Sequence, residues 1–282
     1  MHIALVTARH VDPDLTDDVY LSEALTECGQ RFDWRAWDDP AVRWQDYDRV
    51  VLRSCWGYHL DTPRFEAWLM RLDVLGVHLI NPSSLVRGNI HKRYLLELAA
   101  AGVPIPKLRL VPQGSTATLE SLQREMDSAE LIVKPAVSGC SWRTFRVPAG
   151  STERWEAELA VLTAERDVLV QAFVPEIQTL GEYSLIFIAG RYSHAILKTP
   201  VAGEFRCQPE YGGRIAATIP PDSVFRAAER ASLFTGDPTY ARVDIVESAG
   251  TPMIMEVELI EPVLFFRQAP EAARRLAQAL CA

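Results

Sequence analysis

The stretch from Ala241 to Pro262 reads Ala241-Arg242-Val243-Asp244-Ile245-Val246-Glu247-Ser248-Ala249-Gly250-Thr251-Pro252-Met253-Ile254-Met255-Glu256-Val257-Glu258-Leu259-Ile260-Glu261-Pro262. Two runs alternate polar and apolar residues, the period of β-strands. Ser248 to Thr251 lie between them and predict a hairpin turn. A turn centred on Gly250 sets Arg242 opposite Glu258 and Asp244 opposite Glu256. Side chains two apart share a face, so these four groups project together. Val243, Ile245, Val257 and Leu259 face the other way, toward a core. Three carboxylates on one face repel unless a cation sits among them, and a hard cation such as magnesium is the natural occupant. A solvated hairpin face with one Arg–Glu cross-strand pair explains the same residues, so both readings stay open on this stretch alone.

The surrounding chain has 282 residues, 48% of them hydrophobic and 23% charged, with a net charge of -8. That length supports about two domains with a large core. The negative charge argues against a nucleic-acid surface. Cys28, Cys55, Cys140, Cys207 and Cys281 are scattered and form no C-x-x-C pair, which suggests neither a zinc site nor a disulfide framework and fits a reducing cytoplasm. The chain opens on a strand, with no charged leader ahead of a long apolar run. No stretch is apolar for long enough to expect a membrane span.

Residues 2–7, 32–37, 49–53 and 78–80 read as strands alternating with helices, a small parallel α/β domain. Thr16 is expected to cap the first helix, and Thr62 with Pro63 to open the second. Ligands of such sheets bind beyond the carboxyl ends of the strands, which makes the loop 54–59 a candidate substrate site through Trp56 and Tyr58. Filling of surface gaps is an equal explanation for these rings. A helix over 89–101, capped by Asn89, carries Lys92 in its first turn, where a cation opposes the helix dipole. The strand 131–135 carries Lys134 ahead of the small-residue loop Ala136–Ser141, whose amides can turn toward phosphate oxygens. The Walker pattern is absent. An apolar strand at 167–175 precedes a hairpin over 181–198 that turns at Ala189-Gly190. A loop with Arg206, Arg214 and the Gly212-Gly213 pair follows.

The order of these features is distinctive: Lys92 on a helix, Lys134 before a small-residue loop, an apolar strand, Glu182 after a glycine, Lys198, an arginine loop, then Arg-x-Asp and Glu-x-Glu. It resembles the ATP-grasp superfamily over nearly the whole chain, in particular its glutathione-synthetase, D-alanine-ligase and ribosomal-protein-glutamate-ligase members. Within it, Arg53-Ser54-Cys55-Trp56, Gly181–Leu185 and Phe205–Gln208 are most similar to the D-cycloserine synthetases, which are O-ureido-D-serine cyclo-ligases. The resemblance implies an N-terminal α/β parallel-sheet domain (1–84), followed by an α+β ATP-grasp fold of two subdomains (85–172 and 173–282) with ATP between them. It implies phosphate contacts from Lys92, Lys134 and the loop residues Ser138, Gly139 and Ser141. It gives adenine to Gln171 and the backbone of Phe173 and Val174, and the ribose to Glu182, with Glu176 as its rival. Lys198 and Arg206 would face the γ-phosphate, Asp244, Glu256 and Glu258 would hold Mg2+ (two ions), and Arg242 would steady the transferring phosphoryl group. Gly212 and Gly213 join Trp56 and Tyr58 as candidate substrate contacts.

The implied partner is an amino-acid-like small molecule, with no nucleic acid and no membrane, and a homodimer is compatible with the reading. The implied reaction activates a carboxylate as an acyl phosphate for attack by nitrogen, within one molecule in the cyclo-ligase reading. An intermolecular amino-acid or peptide ligase and a non-catalytic nucleotide-binding protein are the alternatives. Two departures stand out. Glu258 occupies the place of the family's usual Asn, and Cys140 that of a usual glycine.

Overall fold

A computed structural model describes residues 1–282, the Pro209 side chain excepted. The chain opens as expected. Strands β1 (His2–Thr7), β2 (Arg31–Ala36), β3 (Arg49–Ser54) and β4 (Leu79–Ile80) form a parallel sheet in the order β2-β1-β3-β4. Helices α1 (Val19–Glu27) and α2 (Thr62–Val74) connect them. Phe65, Trp68, Leu69 and Leu72 of α2 are buried, so this helical stripe is core.

Two capping expectations need correction. Thr16 does not cap α1; it closes a 3-10 turn over Pro13–Leu15, its hydroxyl donating to the Pro13 carbonyl at 2.8 Å. Asp18 stands at the N-cap but makes no side-chain cap bond, because its carboxylate is turned toward Arg53 instead. At α2 the cap is Asp61, one residue before Thr62, and it accepts from the Arg64 N–H at 3.3 Å.

The helix expected over 89–101 is two helices, α3 (Ser83–Ile90) and α4 (Tyr94–Ala100). The chain breaks there because tertiary partners claim its polar groups. The Asn89 amide donates to the Val257 carbonyl at 2.8 Å and accepts from the Leu259 N–H at 2.9 Å. The Lys92 N–H donates to the Ala136 carbonyl at 2.8 Å. Asn89 is therefore a clamp on the acidic hairpin and not a helix cap.

A second, antiparallel sheet has the order β5-β8-β6-β7, from β5 (Leu108–Val111), β6 (Leu131–Pro135), β7 (Phe145–Val147) and β8 (Val168–Ala172). Helices α5 (Leu119–Met126) and α6 (Thr152–Glu165) pack on it, burying Leu122, Met126, Leu159 and Leu162 with Val133 and Val170. The third sheet, also antiparallel, has the order β11-β10-β9-β12-β13. Its strands are β9 (Glu182–Ile188), β10 (Arg191–Thr199), β11 (Arg214–Thr218), β12 (Tyr240–Ser248) and β13 (Thr251–Glu258). Strand β11 was not expected, since its burial pattern is mostly exposed and it lies at the sheet edge.

This third sheet positions the site. Its odd-numbered residues Leu185, Phe187, Ala241, Val243 and Ile245 pack with Val257, on α4 and on α7 (Asp222–Phe234). The even-numbered face changes chemistry along its length. At one end Ile186, Ile188, Ile196 and Tyr240 bury against Ile3, Leu5 and Val51 of the first sheet. At the other end it presents Glu182, Ser184, Lys198, Arg242 and Asp244, which a dry contact could not accommodate. The last helix, α8 (Pro270–Cys281), returns to the first sheet and buries Leu276 and Leu280 beside Leu21 and Leu25 of α1. Each such leucine stabilises the fold by about 1.5–3 kcal/mol.

Candidate active site

The acidic hairpin pairs as anticipated: Arg242 lies opposite Glu258 and Asp244 opposite Glu256. The route to that register differs. The turn is the two-residue Ala249-Gly250 loop, with positive φ of 49° and 76°, as a primed hairpin turn requires. Ser248 pairs Thr251 and Ile245 pairs Ile254, so Met255 is an extra residue between Ile254 and Glu256. This β-bulge restores the register that a turn centred on Gly250 would have produced. Met255 and Glu256 consequently line the same cavity.

That cavity has a volume of about 460 Å³ and joins all three sheets. The third sheet supplies Glu182, Lys198, Arg242, Asp244, Glu256 and Glu258. The second sheet supplies Ile132, Lys134 and Gln171, with Phe173 and Val174 just beyond β8. Trp56 and Tyr58 enter from the loop after β3, beyond the carboxyl end of a parallel strand.

Its cationic side chains are tightly paired, with one exception among the described residues. Lys92 donates to Glu256 at 2.5 Å and to the Ser138 carbonyl at 3.1 Å. Lys198 lies 2.5 Å from Glu182 and 3.3 Å from Asp244. Arg242 donates to Asp244 at 3.0 Å and also to Glu258. Asp244 further accepts from the Ser184 hydroxyl at 2.5 Å. Burial opposes the charge on Asp244, but Arg242 and Lys198 outweigh it and hold the carboxyl well below the usual range. Burial likewise opposes the charge on Lys92, and Glu256 outweighs it. Lys134 is the exception: among the described residues it has no ion-pair partner, and burial pushes its ammonium down. An unpaired cation facing a cavity is suited to a bound anion.

The three expected metal ligands face one cavity without being gathered as a cage. Among the described residues no three His, Cys, Asp or Glu side chains are so grouped, because Lys92, Lys198 and Arg242 stand between the carboxylates. The donor set nevertheless fits a hard cation. Burial, with Glu256 and Asp244 adding, outweighs Arg242 and pushes Glu258 up to about 7, so the protein's own cations only partly compensate this carboxylate.

Comparison with known proteins places this geometry. A family profile described as the N-terminal domain of D-cycloserine synthetase DcsG matches residues 3–81. The cycloserine biosynthesis protein DcsG of Streptomyces lavendulae is 32% identical, over 99% of this chain and 97% of its own. The chain belongs to the D-cycloserine synthetase family of ATP-grasp ligases. A crystal structure of D-cycloserine synthetase DcsG superposes with a TM-score of 0.88 at 31% identity, covering 99% of this chain and 98% of that one. The ATP-grasp ligase PsnB, in complex with a phosphomimetic variant of its minimal precursor, Mg and ADP, shares the fold at a TM-score of 0.69 and 18% identity, covering 99% and 97%.

Most of the residues singled out in the sequence converge on the cavity, whereas Gly212, Gly213 and Glu176 do not. Gly212 and Gly213 shape the loop behind it: Gly212 has φ 82°, and a Cβ on Gly213 would stand 2.2 Å from the Cys207 carbonyl oxygen. Arg206 lines the cavity but is already engaged, donating to Glu204 at 2.6 Å and lying 3.7 Å from the Tyr211 ring centroid. Ser141 accepts from Gln208 at 3.0 Å. Gln171 reaches the Met255 sulfur at 3.9 Å. The Phe173 N–H is taken by the Glu130 carbonyl at 3.0 Å, which leaves the Val174 N–H as the backbone donor at this edge. Glu182 is held by Lys198, whereas Glu176 accepts from Ser248 at 2.9 Å.

Cys140 has φ 50°, and Ser141 and Arg143 follow at 55° and 51°. The loop thus holds L-residues in the left-handed region, at about 1–2 kcal/mol each. The small residue at Gly139 admits His59, since a Cβ there would stand 3.2 Å from its Nδ1. His59 also packs on Trp142, with ring centroids 5.5 Å apart. Burial first, then Lys92 and Arg166, pull its imidazole down from 6.5 to about 4. The fold therefore favours the neutral ring. Its contribution to stability is present above pH 6.5 and is lost as pH falls toward 4. Urea midpoints across that window are expected to drop less for His59→Gln than for the unaltered chain, and equal drops would count against this account.

Sequence reasoning overlooked several residues. Asn81 donates to the carbonyls of Tyr240 and Leu259 at 2.9 and 2.8 Å and accepts from the Thr239 N–H at 2.7 Å. Tyr94 accepts from the Val257 N–H at 3.1 Å. Both pin the hairpin to the body of the protein, and nothing in their local sequence signals it. Glu261 also lines the cavity, and its place just after the alternating run was the one available cue.

Proposed function

We propose that this protein is an ATP- and Mg2+-dependent ligase that activates a carboxylate as an acyl phosphate and closes a ring by attack of nitrogen in the same molecule. The substrate in this reading is O-ureido-D-serine and the product D-cycloserine. The observation that carries it is the convergence of Lys92, Lys134, Lys198 and Arg242 with the β12–β13 carboxylates around one cavity. The 32% identity to the DcsG protein supports the choice of substrate.

A carboxylate resists attack because its oxygen is a poor leaving group. Transfer of the γ-phosphoryl group from ATP converts that oxygen into phosphate, and the protein's part is positioning and charge neutralisation. Lys92 and Lys134 would receive phosphate oxygens, with the 138–141 loop beside them. The Val174 N–H would read the base. Asp244, Glu256 and Glu258 would hold the magnesium, which supplies charge neutralisation along the phosphates when bound. Arg242 would stabilise negative charge on the tetrahedral carbon centre. The nitrogen bonded to the side-chain oxygen then attacks the acyl carbon, and phosphate departs. Water removes the carbamoyl group as carbon dioxide and ammonia. ATP, O-ureido-D-serine and water thereby give ADP, phosphate, D-cycloserine, carbon dioxide and ammonia.

The decisive assay supplies ATP, Mg2+ and O-ureido-D-serine alone. Stoichiometric release of phosphate and D-cycloserine is expected. Phosphate release that waits on a second amine would instead establish an intermolecular ligase.

Lys134→Met tests the phosphate assignment separately. A charge-assisted bond is worth about 1.5–3 kcal/mol, so ADP affinity should fall at least about tenfold. Folding stability should hold or rise, because the removed cation has no ion-pair partner among the described residues. Unchanged ADP affinity by calorimetry would contradict the assignment.

A further inference from the structure

We propose that Glu261 receives the ammonium group of the amino-acid substrate and so selects for acids that carry an amine. The inference rests on the carboxylate-activation reading above and adds to it the residue that reads the other end of the substrate.

Among the carboxylates lining the cavity, Glu182, Asp244, Glu256 and Glu258 each have a cationic partner. Glu210, at the rim, is exposed to solvent. Glu261 alone combines a place inside the cavity with no ion pair among the described residues; the one group its carboxylate meets is its own backbone N–H. It lies three residues beyond Glu258, past the end of β13, where the alternating pattern no longer assigns it to the cation-held face. A Cβ on Gly139 would stand 3.9 Å from its Oε1, so it abuts the loop that follows Lys134. Trp56, Tyr58 and Phe265 line the same cavity and offer ring surface that a cation tolerates.

The charge logic is simple. An α-amino acid brings one anion and one cation. Its carboxylate is drawn to the lysine- and arginine-rich wall where phosphoryl transfer would occur. Its ammonium then needs an anion that the protein has not already neutralised. Burial, followed by Glu258, outweighs Lys92 and pushes the Glu261 carboxyl up to about 8, so no counter-ion within the protein balances the cost of burying its charge. A bound ammonium supplies that counter-ion.

The test compares O-ureido-D-serine with its counterpart in which hydrogen replaces the α-amino group. The unaltered enzyme should favour the amine-bearing acid by at least about a hundred-fold in kcat/KM, because a buried group left unpaired penalises the poorer ligand. Glu261→Gln should cut that preference to below about tenfold through the KM of the amine-bearing acid, and Glu261→Asp should fall between. Affinity for ADP with Mg2+ should not change in either variant. An unaltered enzyme without the preference overturns the proposal. So does a Glu261→Gln or Glu261→Asp enzyme that keeps the full preference, or weakened Mg–ADP binding, which would assign Glu261 to the metal. If Glu261→Gln does not fold, the Asp variant and the unaltered enzyme still decide. Absence of ATP consumption with any amine-bearing acid would strike the ligase reading itself, whereas intact consumption with an unchanged ratio strikes Glu261 alone.

Discussion

Asp244→Asn is expected to lower ATP turnover by at least about a hundred-fold, the scale on which preorganised charges act in active sites. The Asn side chain has the same shape and can still accept from the Ser184 hydroxyl. What it loses is the negative charge that joins Lys198, 3.3 Å away, to Arg242, 3.0 Å away. Without it, Lys198 retains only Glu182 and Arg242 only Glu258 as ion-pair partners among the described residues, and the proposed magnesium site would lose its most buried carboxylate. The acid limb of stability should change too. A carboxyl held below its ordinary value of 3.8 contributes stability that is present above 3.8 and is lost as pH falls through the lower folded value. The variant should lack that part of the acid-induced loss. Initial-rate measurement of ADP release, with urea melts at several pH values, checks both statements. Turnover equal to that of the unaltered enzyme would falsify the role given to this wall of the cavity.

Arg53→Met is expected to have the largest effect on stability, a loss of about 3–5 kcal/mol. Arg53 is 1% exposed. Its Nε donates to Asp18 at 2.8 Å and its Nη2 to the Pro262 carbonyl at 2.9 Å. Its guanidinium carbon lies 5.0 Å from the Tyr240 ring centroid. The Tyr240 hydroxyl in turn donates to the Leu52 carbonyl at 2.6 Å. One side chain therefore joins the first sheet, α1 and the loop that follows β13. Methionine fills much of the volume but strands Asp18 as a buried anion. Arg53→Met combined with Asp18→Asn should recover part of the loss, because the penalty lies in the unpaired charge more than in the missing contact. Denaturant midpoints for the single and double variants decide; a single variant as stable as the parent would show that Asp18 finds another partner.

The acidic hairpin shows how far local pattern reaches. Alternation assigned Val243, Ile245 and Val257 to the core and Asp244, Glu256 and Glu258 to the opposite face, because a strand's side chains must alternate. The pairing of Asp244 with Glu256 came out correctly although the turn is Ala249-Gly250, since the Met255 bulge adds the missing residue. A slip of one residue would have turned every carboxylate inward, and no local signal announced the bulge. The Thr16 cap failed locally, its hydroxyl being taken by the Pro13 carbonyl, but the missing cap bond of Asp18 and the failed helix start at Asn89 share a reason. Asp18 and Asn89 bond to groups 35 and 168 residues away, and a bond of that range leaves no trace in neighbouring residues.

By itself the sequence determined the four strands of the first sheet, β6 and β8 of the second, the two hairpins of the third, the faces of the acidic hairpin and the order of the charged groups, because backbone periodicity and turn chemistry act over a few residues. Only the tertiary structure decided which charges neutralise one another. Lys92, Lys198 and Arg242 are taken, while Lys134 and Glu261 remain free to meet a ligand. Coulombic pairing depends on distance through space and on exclusion of water, and neither is written in the spacing of residues along a chain.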